Sequence, residues 1–230
     1  MKKITKYIPT IILTLLCSCS DYLDIVPDNV TTLDIVFNNR NTAERYLANC
    51  YHFVPDHGSV KRIPGMGAGH ECWFYTTNDS HFDNEVSFYI ARGLQNIDAP
   101  YANYWDGEGG SNLPMFRAIR ECNIFLDYVR DQHKVNDLTD SERKRWIAEV
   151  NVLKAYYHFF LFEHYGPIPI VDKALPVSTD PEGVKVTRMP VDQIVDYMVK
   201  LIDDSYKDLP PVITMEATEM GRLTQPAALA

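Results

Sequence analysis

Apolar residues recur along much of this chain at three- and four-residue steps, the period of one face of an α-helix. In "NTAERYLANCYHFV" (41–54) the recurring positions are Ala43, Tyr46, Leu47, Cys50, Tyr51 and Val54. Asn39 or Asn41 is placed to cap this helix and Pro55 to stop it. A second stripe, Met115, Phe116, Ile119, Cys122, Phe125, Leu126 and Val129, predicts a helix from Leu113 to about Arg130. The third helix has a marked start. Thr139 with Glu142 three residues later makes a capping box, in which each side chain satisfies the other's backbone N–H. Trp146, Val150, Leu153, Tyr157 and Leu161 form its stripe, and Lys154 falls on the polar side. By "AYYHFFLFEHYG" the apolar residues go nearly all round, which predicts burial on several sides and assigns Tyr156, His158 and Phe159 to packing. Gly166-Pro167 ends this helix.

The stretch "GPIPIVDKALP" (166–176) is expected to be extended, because closely spaced prolines exclude helix. A fourth helix begins near Pro190, a good first-turn residue, and ends at Pro210-Pro211. Its expected core face is Val191, Ile194, Val195, Met198, Leu201, Ile202 and Leu209. A fifth opens at Thr224-Gln225-Pro226. The pattern lapses between residues 55 and 112, which are rich in Gly, Asn, Asp, Ser and aromatics. That is far beyond ordinary loop lengths, so the segment is a place to look for function. No repeat near 34 residues stands out.

Composition narrows the partners. With 31 acidic against 22 basic side chains, the surface argues against nucleic acid or anionic lipid as a partner. The chain is one domain's worth of residues with ample core material.

At the start, Lys2, Lys3 and Lys6 precede a mainly apolar stretch from Tyr7 to Cys17. It is too short to span a bilayer, which takes about 20 residues, and has the length of a signal-peptide core. "LCSCSDYLD" (16–24) follows. Leu16-Cys17-Ser18-Cys19 resembles a bacterial lipobox, with small Ser18 before the cut. Residues 1–18 are therefore expected to be a lipoprotein signal peptide, Cys19 the lipidated first residue of the mature chain, and 19–39 its lipidated N-terminus and tether. Three cysteines remain, Cys50, Cys72 and Cys122. An odd number cannot all pair internally, and Cys50 and Cys122 fall on apolar helix faces as buried thiols.

Four stretches together resemble the SusD/RagB family of outer-membrane nutrient-binding lipoproteins: "CSDYLDIVPDN" at the processed end, "YWDGEGGSNLPMFRAIRECNIFLD" (104–127), "EVNVLKAYYHFFLFEHYGPIPIV" (149–171) and "RMPVDQIVDYMVKLIDDSYKDLP" (188–210). The third is the most specific. The resemblance implies an all-α fold in which tetratricopeptide-like helix pairs scaffold long irregular loops. It also implies a partner, a SusC-like TonB-dependent transporter over which the protein sits as a lid, and a glycan ligand. Family members are about twice this long, so residues 40–230 correspond to a SusD-like N-terminal region with the C-terminal half absent. Two departures stand out: a Gly-rich insertion at 107–114, and Gln225-Pro226 where the family usually carries Lys-Gly or a similar pair.

For a glycan site the expectation falls on "ECWFYTTND" (71–79). A sugar presents a C–H face to a flat aromatic ring and hydroxyls to short polar groups. Trp73 and Tyr75 are the expected platform, Asn78 and Asp79 the polar edge, where family members place early glycan contacts. The alternative is that the aromatics are partly core and Asn78-Asp79 a turn. Tyr104-Trp105 is expected to pack against the following helix. Asp79, Asp83, Glu85, Asp106 and Glu108 supply carboxylates, but acidic loops are commonplace and no catalytic residue is assigned. His70, His81 and Asp83 match no metal motif. No cofactor and no metal are expected. The expected protein is a non-enzymatic, cell-surface-facing glycan binder. The rivals are a lipid-anchored glycoside hydrolase and a helical-repeat envelope adaptor.

Overall fold

The structure, a computed structural model, describes residues 33–58, 67–69, 86–98, 100–107, 113–175, 182 and 185–230. Two units are distinguished, Met1–Val36 and Phe37–Ala230. Of the first, the described part is a short helix, α1 (Leu33–Val36). The second contains α2 (Arg40–Tyr51), α3 (Val86–Ala91), α4 (Met115–Arg130), α5 (Asp140–Tyr165), α6 (Val191–Asp203), a 3-10 turn (Tyr206–Asp208), α7 (Glu216–Glu219) and α8 (Gln225–Leu229). The described residues form helices and no strands, as an all-α fold requires.

Helices α4 and α5 are the centre of the fold. They lie side by side in opposite directions: Val129 meets Arg143 at one end, and the residues leading into α4 meet Phe160 and His164 at the other. The stripe read from the sequence is the buried face of α4, from Met115 to Val129, with Phe116 half-buried. On α5, Trp146, Val150, Leu153, Tyr157 and Leu161 are all buried, each such side chain stabilising by about 1.5–3 kcal/mol. The capping box forms, with the Glu142 N–H donating to Thr139 Oγ1. The end of α4 is closed from a distance. The buried Arg143 guanidinium donates at 2.6 Å to the Val129 carbonyl, one of the groups a helix C-terminus leaves orphaned, and at 2.9 Å to the Val135 carbonyl in the loop beyond. Gly166, at φ 68°, ends α5 in a region that favours glycine.

Helix α2 starts at Asn39, whose side chain accepts from the Thr42 N–H at 3.1 Å. It packs Ala43, Leu47 and Cys50 against α4 and α5. Tyr157 Oη donates to the Cys50 carbonyl at 2.5 Å, fixing the end of α2 onto α5. Phe37, just before α2, is fully buried and stacked on Tyr128 at 4.5 Å. Cys50 and Cys122 are buried free thiols. Burial and the neighbouring Cys50 push the Cys122 thiol well above its ordinary value.

Three expectations need correction. Lys154 is not on a polar face: it is 1% exposed, and its ammonium reaches Asp172 Oδ1 at 2.7 Å and the Asp172 carbonyl at 3.1 Å. Burial pulls the lysine below its ordinary pKa. Burial raises the Asp172 carboxyl, but hydrogen bonds from Lys154 and Tyr197 outweigh that and hold it low. Second, Phe159 points outward, 47% exposed, while its neighbours Tyr157, His158 and Phe160 are buried. Third, the face read on α6 is only partly covered. Ile194 and Met198 pack on α5, whereas Val191 and Val195 are exposed, because α5 is the helix that α6 chiefly packs against and it reaches one side only.

Candidate functional site

The side chains expected from the sequence to carry function, Cys19, Trp73, Tyr75, Asn78 and Asp79, lie outside the described residues, as do His70, His81, Asp83, Glu85 and Glu108. Asp106 is exposed and accepts from Asn103 Nδ2 at 2.6 Å. Tyr104 and Trp105 pack as expected. Tyr104 is buried edge-on to Phe160 and His164, its carbonyl accepts from the Met115 N–H, and burial pushes its hydroxyl up to about 12. Trp105 is half-buried, edge-on to Phe116 at 4.6 Å and to Tyr165 at 5.4 Å. The Arg188 guanidinium lies over its ring at 5.1 Å and donates to the Pro167 carbonyl at 2.7 Å.

Beside Trp105 runs a groove of about 300 Å³. One side is α4, where Phe116 and Arg120 are four residues apart and therefore neighbours on the helix surface. The other side is the segment after α5. Pro169, Val171, Lys173 and Leu175 all line the groove, every second residue of a non-helical stretch. The alternate residue Asp172 turns away to Lys154. Two buried side chains hold this wall in place through Val171. Asn123 Nδ2 donates to the Val171 carbonyl at 3.0 Å, and the Val171 N–H donates to His158 Nε2 at 3.4 Å. His158 Nδ1 then carries the proton and donates to the Lys154 carbonyl at 2.7 Å. Burial pushes this imidazole down to about 4, against the smaller opposing effect of that hydrogen bond, so it is neutral at pH 7. Arg120 donates to the Leu175 carbonyl, tying the two sides together. Neither Arg120 nor Lys173 has a carboxylate partner among the described residues.

A second cleft, lined by Glu44, Leu47, Tyr51, Met220 and Arg222, differs in charge. Beside it lies Glu149, wholly buried, which accepts from Tyr51 Oη at 2.8 Å, Arg145 Nε at 3.0 Å and Arg222 Nη2 at 2.9 Å. Arg145 also meets Glu219 at 2.8 Å. This network fastens the segment around Arg222 to α2 and α5. Its cations are matched by acids, so the cleft offers a ligand little that is uncommitted.

Sequence reasoning missed the groove. Its signals were the Phe116–Arg120 spacing on α4 and the alternation of 169, 171, 173 and 175, but nothing local brings the two together. It also missed Glu149, read only as the first letter of a motif.

A SusD-like family model, described as "Starch-binding associating with outer membrane", matches residues 21–230. The chain belongs to the SusD-like family. No curated protein matches it. Solved structures share the fold. A laminarin-binding SusD-like protein superposes with a TM-score of 0.62 at 17% identity, over 84% of this chain and 38% of its own. A SusD-like carbohydrate-binding protein from Bacteroides fragilis gives 0.60 at 24%, over 85% and 36%. Surface glycan-binding protein A from Bacteroides uniformis gives 0.57 at 17%, over 82% and 39%. The chain thus spans well under half the length of each of these SusD-like relatives. Among the described residues no helix is long and apolar enough to cross a membrane.

Proposed function

We propose that this SusD-like chain is part of a glycan-capture lipoprotein of the outer membrane, and that it acts by binding and not by turnover. The carrying observation is the family match over residues 21–230, whose description joins starch binding to the outer membrane. In this reading residues 1–18 are removed, Cys19 carries lipid, 19–39 is the tether, and 40–230 is the folded region facing the cell exterior. A SusC-like TonB-dependent transporter takes the glycan onward. Trp73 and Tyr75 supply the ring platform, with Asn78 and Asp79 at the polar edge.

Two experiments test it. Cells labelled with a palmitate analogue should show a labelled band that disappears in Cys19→Ala and persists in Cys17→Ala; the reverse pattern overturns the anchor assignment. Calorimetry against maltoheptaose and laminarin oligosaccharides, with a Trp73→Ala comparison, tests the site. An aromatic platform contributes a few kcal/mol at most, and weak sugar binding should lose most of its measurable affinity without it. Unchanged binding in a folded Trp73→Ala protein removes the site from residues 71–79. Hydrolysis of either oligosaccharide overturns the binding-only reading.

A further inference from the structure

The groove beside Trp105 has an unusual inventory of polar groups. Its side chains that hydrogen-bond are Trp105, Arg120 and Lys173. All three donate and none accepts. The remaining lining is apolar: Phe116, Pro169, Val171, Leu175 and Val186. A neutral sugar hydroxyl both donates and accepts, and would find no side-chain acceptor here. A ligand that only accepts, and that has an apolar face, satisfies the whole lining. Charge points the same way. The chain carries a net charge of −9 and its general field repels anions. Arg120 and Lys173 have no acidic partner among the described residues, and the carboxylate next to them in sequence, Asp172, is taken up by Lys154 and Tyr197, so two cations set into apolar walls are a local reversal of that field. Arg120 spends one N–H on the Leu175 carbonyl, which fixes the guanidinium and leaves further N–H groups of its planar fork, a shape that matches carboxylate and sulfate.

We infer that this groove binds an anionic sugar residue, its carboxylate or sulfate between Arg120 and Lys173 and its C–H face against Phe116 and the aliphatic wall. At about 300 Å³ the groove is at the small end of ligand pockets and suits a single sugar ring within a longer chain. The inference rests on the glycan-binding reading above but uses a different part of the molecule from residues 71–79. It makes the protein selective for acidic glycans.

The test uses the full chain and four probes: trigalacturonate, its methyl ester of the same shape without charge, a sulfated galactan oligosaccharide, and neutral maltoheptaose. At least one charged probe should bind about tenfold or more tightly than the methyl ester, and that preference should shrink as NaCl rises, because the interaction is electrostatic. Lys173 is exposed, so Lys173→Gln should keep the thermal melt of the parent, weaken the charged probe several-fold and leave maltoheptaose unchanged. Arg120→Gln should weaken the charged probe further. Equal affinity for the acid and its ester, or a charged probe indifferent to Lys173→Gln, overturns the inference. Binding of maltoheptaose but of neither charged probe overturns it while leaving the glycan reading standing. Binding of no probe overturns both.

Discussion

Around Glu149, Arg145 and Arg222 each meet carboxylates and the central acid is sealed from water. In the groove beside Trp105, the half-buried Arg120 and the exposed Lys173 meet none among the described residues. Both regions are built from charged side chains on the same helical scaffold. The first uses charge to fasten chain segments: Glu149 joins α2, α5 and the residues after α7 through three donors. The second leaves charge unspent. A buried charge removed from its partners is costly, whereas an exposed one is nearly free to change. The difference separates residues that hold the fold from residues available to a ligand, and it is measurable.

The largest effect should come from Glu149→Ala. It removes the buried acceptor that Arg145, Arg222 and the Tyr51 hydroxyl share, leaving Arg145 to Glu219 and Arg222 to Glu44 and Glu219, and should cost about 3 kcal/mol in urea unfolding. Glu149→Gln keeps an acceptor and should cost less. A Glu149→Ala protein as stable as the parent would mean that the network is not a fastening at all.

The next effect links stability to the groove wall through His158. Its folded pKa, lowered by burial to about 4, lies below the ordinary histidine value of 6.5, so the unfolded chain takes the proton first. Stability from this group is fully present above about pH 6.5 and is lost as pH falls toward 4, by up to about 3 kcal/mol. A proton on Nε2 also removes the acceptor for the Val171 N–H. Unfolding free energies measured between pH 7 and 4 should fall more steeply for the parent than for His158→Gln. Parallel slopes would place the titration elsewhere.

The smallest effect sharpens the comparison within one short stretch. Lys154→Ala should cost about 1–2 kcal/mol. It empties the space of a buried stem, while Asp172, with 71% of its side chain exposed, simply returns to water. Lys173→Ala should stay within about 0.5 kcal/mol. Equal costs would mean that the alternation of the segment after α5 is not the one described.

The sequence made the helices legible because their signals are local. The stripe of α4, the Asn39 cap and the Thr139–Glu142 box each need only four or so consecutive turns of chain to be read. Lys154 was misread for the opposite reason. A charged residue on a helix is normally placed on its wet face, and the partner that permits burial, Asp172, arrives only when the chain turns back at Gly166. The same holds for the groove, whose two sides are more than forty residues apart in sequence. On α6, periodicity gave the correct face but could not say how much of it a neighbour covers. The residues expected to touch glycan, Trp73, Tyr75, Asn78 and Asp79, remain a reading of residue chemistry and family resemblance.

Gly107 has a consequence of a different kind. At φ 85° it adopts a conformation that favours glycine, and a Cβ there would sit 2.9 Å from the ring of Pro114. Chain entry and exit are thus pinched together at the foot of α4. Once two points of a chain are clamped by their own contact, lengthening the stretch between them costs only about 0.6 kcal/mol per doubling. This junction is therefore a splice point. A reporter peptide or an affinity tag inserted between Gly107 and Pro114 should leave the helical pair below it undisturbed.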